Sequence, residues 1–240
     1  MHRLAKRVKV IGTSMIEESL RITELHPEII SLGAGEPDFP APPNVIRAAE
    51  KFLEKGYTHY APMQGRRELR QALVKKLKKE NKIEANEDEV IVTCGSKEAI
   101  LLSVMTLVNP KEEVIIPNPG YIGYRPIVEV LDGNPVSIAL KEEDNFEYHP
   151  ELLKRLITKK TRLIVVNTPA NPTGTVFKRR ILEEIADIAI DRNLMILSDE
   201  AYERLVYDNA KHVSIASLNG MEDHVITTQK FSKTFPKCGF

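Results

Sequence analysis

Lys233 has the sequence surroundings that most favour covalent chemistry. It lies in the segment FSKTF at 231–235, where flanking aromatic side chains reduce the hydration of its amine. A poorly hydrated lysine favours the neutral amine, which can attack a carbonyl carbon and form an imine. A single lysine of this kind is more often an ordinary surface residue, so its interpretation depends on the other polar residues of the chain.

Asp199 and Tyr202 offer further polar groups in the segment SDEAYE at 198–203. Asp199 ends a β-rich run, and a carboxylate at that point can pair with a buried cationic group. Tyr202 comes one helical turn later, so it can face the same ligand. The segment is also typical of an aspartate that simply begins a helix.

Asn171 and Tyr121 lie in two loops rich in proline and glycine. The loop NTPANPTG at 167–174 is rigid enough to hold the Asn171 amide in one hydrogen-bonding pose. The loop PGYIGY at 119–124 presents Tyr121, whose ring can stack on a planar ligand. Either loop can also be a turn that closes the hydrophobic core.

Gly95, Ser96 and Lys97 form a segment typical of an anion-binding helix start, within CGSKEA at 94–99. The glycine permits close approach to the backbone, and Ser96 can cap the helix. The free N–H groups at a helix N-terminus attract an anion such as phosphate. A plain capped turn has the same pattern.

Alternating β-rich and amphipathic runs must position these residues. The predicted strands are 89–93, 113–117, 135–139, 162–167, 194–198 and 224–228, and the predicted helices are 43–55, 66–81, 96–108, 149–157 and 179–192. Several strands are continuous apolar runs, as in parallel strands buried on both faces. This alternation predicts an α/β domain with a mainly parallel sheet, in which ligands bind beyond the carboxyl ends of the strands.

The composition is that of an ordinary globular protein. The chain has 240 residues, with 34 Lys and Arg against 34 Asp and Glu, so its formal net charge is zero. This balance argues against nucleic acid or an anionic membrane surface as a partner. The first residues lack the apolar core of a signal peptide, no apolar run is long enough to span a bilayer, and there are only two cysteines, Cys94 and Cys238. We therefore predict a cytoplasmic protein.

Taken in order, the polar segments resemble the class I and II aminotransferases, which are pyridoxal 5′-phosphate (PLP) enzymes of the aspartate aminotransferase fold type. The matching segments are SLGAGEPDF (31–39), YTHYAPMQG (57–65), CGSKEA (94–99), PGYIGY (119–124), NTPANPTG (167–174), SDEAYE (198–203) and FSKTF (231–235). The resemblance implies a three-layer α/β/α large domain with PLP as its cofactor. It also implies an N-terminal arm at 1–45 and a cofactor-binding large domain at 46–240.

The resemblance assigns roles around the cofactor ring to five residues. Lys233 would hold PLP covalently and later move the proton at the substrate Cα. Asp199 would keep the pyridine nitrogen protonated. Tyr202 and Asn171 would hydrogen-bond the ring oxygen, and Tyr121 would stack on the ring face.

The resemblance also assigns residues to the phosphate, the substrate and the partner subunit. Gly95, Ser96 and Lys97 would cradle the phosphate, and the Gly35 backbone would approach the substrate carboxylate, where Tyr121 and Asn171 would also contribute. Tyr60 would reach across a homodimer interface to the phosphate of the neighbouring subunit.

Three features depart from the family pattern. Lys230 stands where a hydroxyl residue usually contacts the phosphate, and Pro236 is unexpected in the segment after Lys233. The sequence ends at Phe240, before the arginine that would follow and before the small C-terminal domain. We therefore expect either a C-terminally truncated chain that lacks the small domain or a chain that a second polypeptide completes. In this incomplete form we expect weak or no catalysis.

The implied function is transfer of an amino group between an amino acid and a 2-oxo acid, in the manner of aspartate or aromatic aminotransferases. Lyases, decarboxylases and synthases that share the PLP residues remain open, as does a remnant that binds PLP or a partner subunit without catalysis. A Rossmann-type nucleotide binder is disfavoured, because no GxGxxG follows the first predicted strand.

Overall fold

A parallel β-sheet forms the centre of the structure, a computed structural model that describes residues 5–9, 15–33 and 35–236. Within these residues the sheet has five strands in the order β2-β1-β3-β4-β5, and every neighbouring pair is parallel. All carboxyl ends therefore lie at one edge of the sheet. The strands are β1 (Glu113–Asn118), β2 (Asn134–Ala139), β3 (Thr161–Asn167), β4 (Met195–Asp199) and β5 (Val225–Thr228).

Helices precede and connect the strands. They are α1 (Met15–Leu25), α2 (Pro43–Glu54), α3 (Arg67–Lys76), α4 (Gly95–Leu107), α5 (Tyr124–Val130), α6 (Pro150–Leu156), α7 (Arg179–Arg192) and α8 (Phe231–Thr234). A π-helical turn, Leu77–Asn81, continues α3, and short 3-10 turns occupy Lys6–Lys9, Glu87–Glu89, Glu142–Asp144 and Ile215–Ser217. Among the helices of this described part, none is both long and apolar enough to cross a membrane.

The sheet is buried on both faces, as its apolar strands predict. On one face Val114 and Ile116 of β1 pack in a cluster with Ile100 of α4 and with α5. Ile115 points to the opposite face and belongs to a cluster with Leu182 of α7 and with α6. Because side chains alternate along a strand, one strand supplies both cores. The predicted three-layer α/β/α architecture is confirmed.

Five of the six predicted strands are confirmed, each within one residue at either end. The prediction of a strand at 89–93 is wrong. This segment follows the 3-10 turn Glu87–Glu89 in extended form but joins no sheet among the described residues. Its Val92 N–H instead donates to the carbonyl of Gln64 at 2.9 Å. β-Propensity alone cannot form a strand where no neighbouring strand completes its hydrogen bonds.

The helix α5 was not predicted from the sequence. Its residues Ile127, Val128 and Val130 are β-branched and favour a strand by propensity. Ile127 and Val128 are buried against the sheet, so tertiary packing overrides the local preference. The helices α1 and α8 were not predicted either. All five predicted helices are present, and 66–81 divides into α3 and the π-helical turn.

A close backbone contact holds the segment 57–65 in place. Gly65 has φ +98°, and a Cβ added there would lie 2.6 Å from a methyl carbon of Val92. Arg70 is buried and donates from Nε to the Gly65 carbonyl at 3.2 Å. Both the backbone angle and the contact require glycine at this position.

Replacing Gly65 with Ala should therefore lower the free energy of unfolding by about 2–4 kcal/mol, as the sum of left-handed backbone strain and overpacking. Gly56→Ala is the matched control, because Gly56 has φ +76° but no atom within 4 Å of an added Cβ. It should cost only about 1–2 kcal/mol. Urea unfolding of both variants measures the difference, and equal losses would show that the contact with Val92 contributes nothing.

Candidate active site

An open cleft of about 1820 Å³ lies where the carboxyl ends of the strands meet. Two of its residues, Asn167 and Asp199, end the adjacent strands β3 and β4. Lys233 lies on α8, directly after β5. Nine of the ten predicted site residues line this cleft: Gly35, Gly95, Ser96, Lys97, Tyr121, Asn171, Asp199, Tyr202 and Lys233.

Asp199 is the most deeply buried carboxylate that faces the cleft, with 4% of the residue exposed. Its Oδ2 accepts a hydrogen bond from the Tyr124 hydroxyl at 2.7 Å, and its Oδ1 accepts one from the Ala201 N–H at 3.2 Å. Burial raises the pKa of Asp199, although these hydrogen bonds and the charge of Lys230 oppose that shift. A cation beside Asp199 would relieve the cost of its buried charge.

Asn171 and Tyr202 form a second polar pair in the cleft, with Asn171 Nδ2 3.4 Å from the Tyr202 hydroxyl. Asn167 fixes the loop that carries Asn171 to β4. Its Oδ1 accepts from the Asn171 N–H at 2.7 Å, and its Nδ2 donates to the Asp199 carbonyl at 2.9 Å. One amide thus holds the loop after β3 against the end of β4.

Lys233 connects three parts of the chain at the cleft. The residue is half-buried, and its Nζ lies 5.9 Å from the centroid of the Tyr202 ring. The same ammonium donates a hydrogen bond to the carbonyl of Gly35. The N-terminal segment therefore reaches the site that β4 and β5 build.

Tyr121 is half-buried and packs edge-on against Tyr124, with ring centroids 5.3 Å apart and planes at 84°. Burial raises the pKa of Tyr121, and the nearby charge of Asp199 adds to the shift. The phenol therefore stays neutral at physiological pH and offers a ring face and a hydroxyl group.

The N-terminus of α4 opens onto the same cleft. Gly95 has φ +77°, with no atom within 4 Å of an added Cβ, so the backbone is open to a ligand there. Ser96 is buried and Lys97 is exposed. The hydroxyl of Thr93 donates to the Gly95 carbonyl at 2.9 Å and supports the turn. The first-turn N–H groups of a helix have no partner inside it, which favours an anion.

Tyr60 is the one predicted site residue outside the cleft. Its side chain is fully exposed on the segment 57–65. Within this subunit it does not join the other site residues.

Comparison with known proteins identifies the family. The family described as "Aminotransferase class I and II" matches residues 27–240. The chain belongs to the class I and II aminotransferases.

Curated relatives and a solved structure agree with this membership. An aspartate aminotransferase of Pyrococcus abyssi is 42% identical over 99% of this chain, and aromatic-amino-acid aminotransferase 2 of Thermococcus litoralis is 43% identical over 99% of it. The chain spans 61% of the length of each relative. Thermus thermophilus aspartate aminotransferase with maleate superposes with a TM-score of 0.95 at 34% identity, over 100% of this chain and 63% of that one. The aspartate-aminotransferase-like fold is confirmed.

Two further residues that support the cleft were not assigned a role from the sequence. The Tyr124 hydroxyl donates a hydrogen bond to Asp199. The sequence feature that could have indicated this role is its position three residues after Tyr121 in PGYIGY. Asn167 joins the loop after β3 to the end of β4. The sequence feature that could have indicated this role is its position at the end of an apolar run. The contacts with Asp199 do not follow from the pattern, because Tyr124 of α5 and Asn167 of β3 are both distant from Asp199 in sequence.

Replacing Asp199 with Asn should raise the free energy of unfolding of the cofactor-free protein at pH 7. Because the folded pKa of Asp199 is raised above its ordinary value of 3.8, its ionised form costs stability above that pH. The gain should therefore shrink as the pH falls and vanish below about pH 3.8. Urea unfolding at several pH values measures it.

Asp187→Asn is the matched control, because Asp187 is exposed on α7. It should change stability by less than about 0.5 kcal/mol at every pH. A loss of stability in Asp199→Asn at pH 7 would show that the carboxylate is not penalised by burial.

Proposed function

We propose that this protein is a PLP-dependent aminotransferase that moves an amino group between an amino acid and a 2-oxo acid. One observation carries the proposal: an amine, a buried carboxylate and an amide–phenol pair meet in one cleft, on Lys233, Asp199, Asn171 and Tyr202. The family supports it, as do the names of the relatives, which are aspartate and aromatic-amino-acid aminotransferases. These names favour amino transfer over the lyase, decarboxylase and synthase alternatives.

The donor set of the cleft fits PLP. The buried Asp199 carboxylate matches a protonated pyridine nitrogen, and its raised pKa marks it as a charge that lacks full compensation. The amide of Asn171 and the hydroxyl of Tyr202 match the ring oxygen. The open backbone at Gly95 matches a phosphate group.

When bound, PLP supplies an electron-accepting ring that stabilises negative charge on the carbon next to the amino group. Asp199 holds the proton on the pyridine nitrogen, and Tyr124 keeps that carboxylate in place. Tyr121 covers the ring. Lys233 holds the cofactor and carries a proton to and from the substrate Cα.

The rest of the cleft holds the phosphate and the substrate. The first turn of α4, with Ser96 and Lys97, binds the phosphate through its N–H groups and the lysine charge. The Gly35 backbone lies at the substrate end of the cleft, since its carbonyl meets Lys233. Amino acids and 2-oxo acids share the carboxylate that this end would receive. We propose that residues 1–45 form an N-terminal arm and residues 46–240 the cofactor-binding domain.

A homodimer is part of the proposal. Large apolar side chains are exposed throughout the N-terminal part, among them Ile30, Leu32, Phe52, Leu53 and Met63. Such a surface is typical of a protein–protein interface. The exposed Tyr60 lies among these residues and would complete the phosphate site of the partner.

The low cysteine count supports a cytoplasmic location.

Lys233 is the residue whose replacement tests cofactor binding. With added PLP the protein should develop the visible absorption band of cofactor bound to lysine through a C=N bond. Borohydride should reduce that bond, which removes the band and leaves the cofactor attached as a stable label. Lys233→Ala should abolish both the band and the fixed label. Lys159→Ala is the control, because this exposed lysine precedes β3 at the opposite end of the sheet. A label that survives in Lys233→Ala would refute the assignment.

Amino transfer itself is measured by formation of 2-oxoglutarate from glutamate and a second 2-oxo acid. Lys233→Ala should lower kcat by at least about 100-fold, because it loses the group that moves the proton. Lys159→Ala should leave kcat unchanged. Binding of PLP without turnover, at any pair of substrates, would favour the non-catalytic alternative.

A further inference from the structure

A second group of buried and half-buried polar side chains borders the candidate active site. We call it the Glu200–Glu203 network, and its members are Lys76, Asn81, Glu200, Glu203, His212 and Gln229. None of them has a role in the cofactor chemistry described above.

Glu203 connects the turn after β4 to helix α3. Its side chain is 10% exposed and forms a salt bridge with Lys76, the last residue of α3. The other carboxylate oxygen accepts from Asn81 at 2.8 Å and from Gln229 at 3.1 Å. Lys76 also donates to Gln229 at 2.6 Å, so one ammonium joins three parts of the chain.

Glu200 is fully buried and has hydrogen bonds to both carboxylate oxygens. Ser198 and Ser214 donate to Oε1 at 3.0 and 2.5 Å, and Gln229 donates to Oε2 at 3.1 Å. Burial alone would raise the pKa of Glu200, but His212 and these hydrogen bonds together lower it. Glu200 is therefore a buried anion that the network stabilises.

The network touches the chain next to the site residues. Glu200 directly follows Asp199, Glu203 directly follows Tyr202, and Gln229 precedes Lys233 by four residues. The Gln229 amide bonds both carboxylates and so joins the turn after β4 to the segment after β5. Displacement of Glu203 or Gln229 would move the groups that face the cleft.

We propose that Lys76 is a positioning residue that fixes Asp199, Tyr202 and Lys233 through its bonds to Glu203 and Gln229. Its role in PLP binding rests on the proposed function. Its effect on the rigidity of the segments 199–205 and 229–234 does not. Without the ammonium, Glu203 would be a buried carboxylate without its cationic partner. The side chain would turn toward water and release the turn at 199–203.

A bound metal ion is the competing explanation for this cluster. Glu200, Glu203 and His212 offer ligand atoms within 4.8 Å of one another. His212 Nε2 lies 3.3 Å from Glu200 Oε2, close enough for an ion pair, but neither ring nitrogen has a well-aligned hydrogen bond among the described residues. The carboxylates already accept bonds from Lys76 and from amides, and a divalent ion would add its charge beside that ammonium. The geometry therefore favours Lys76 as the balancing charge.

Hydrogen exchange of the cofactor-free protein tests the positioning role. Lys76→Met removes the charge but keeps most of the length of the side chain and its unbranched shape. Peptides that contain 199–205 and 229–234 should exchange at least about tenfold faster, while peptides of α7 and β1 stay unchanged. Lys76→Arg should restore protection, and Lys75→Met, an exposed neighbour on α3, should have no effect. Faster exchange spread evenly over the whole fold would refute the inference.

Affinity for PLP and Zn²⁺ provides the second measurement. Lys76→Met should weaken PLP binding by about tenfold, and Lys76→Arg should recover most of it. Unchanged PLP affinity together with looser segments would refute the role in the site. If the parent protein binds no PLP at all, the proposed function fails while the exchange result still decides the role of Lys76.

Zinc binding tests the competing explanation. Tight Zn²⁺ binding that disappears in His212→Phe would overturn the assignment in favour of a metal.

Discussion

Two consecutive carboxylates, Asp199 and Glu200, are buried at the end of β4, and the surrounding structure must compensate both. Side chains of consecutive residues in extended chain point to opposite sides. Asp199 therefore faces Tyr124 in the cleft, while Glu200 faces Ser198 and Ser214 on the other side. A buried ionised group without partners would cost several kcal/mol, so the loops around β4 are arranged to donate hydrogen bonds.

The two carboxylates are compensated to different degrees, and this difference separates their roles. The pKa of Glu200 is lowered because His212, Ser214 and Gln229 outweigh its burial. The pKa of Asp199 is raised because its burial outweighs the bonds from Tyr124 and Ala201. Glu200 is therefore a stabilised structural anion, whereas burial still disfavours the charged form of Asp199 despite its hydrogen bonds and the charge of Lys230. This difference fits the proposed pairing of Asp199 with a cationic ring nitrogen, in which stability is given up for binding.

The cleft joins residues that are far apart in sequence, from Gly35 to Lys233. Parallel strands make this possible, because each crossover returns the chain to the same edge of the sheet. Asn167 and Gln229 then join adjacent loops at that edge through single amides. Helix α3 extends the connection, since Arg70 holds the segment that carries Tyr60 and Lys76 holds the turn that carries Tyr202.

The sequence by itself determined the α/β class, five strands of the sheet, and nine residues that line one cleft. The class and the strands follow from local patterns, because apolar runs mark buried strands, and Tyr121, Asn171, Asp199, Tyr202 and Lys233 come after such runs at the carboxyl edge. Gly35 was assigned by the family resemblance, and the segment at 95–97 lines the cleft although the strand predicted before it is absent. Only the tertiary structure decided the coil at 89–93, the helix at Tyr124–Val130 and the partners of Asp199 and Glu203. Each of these depends on contacts between segments distant in sequence, which satisfy hydrogen bonds and buried charges that local patterns leave open.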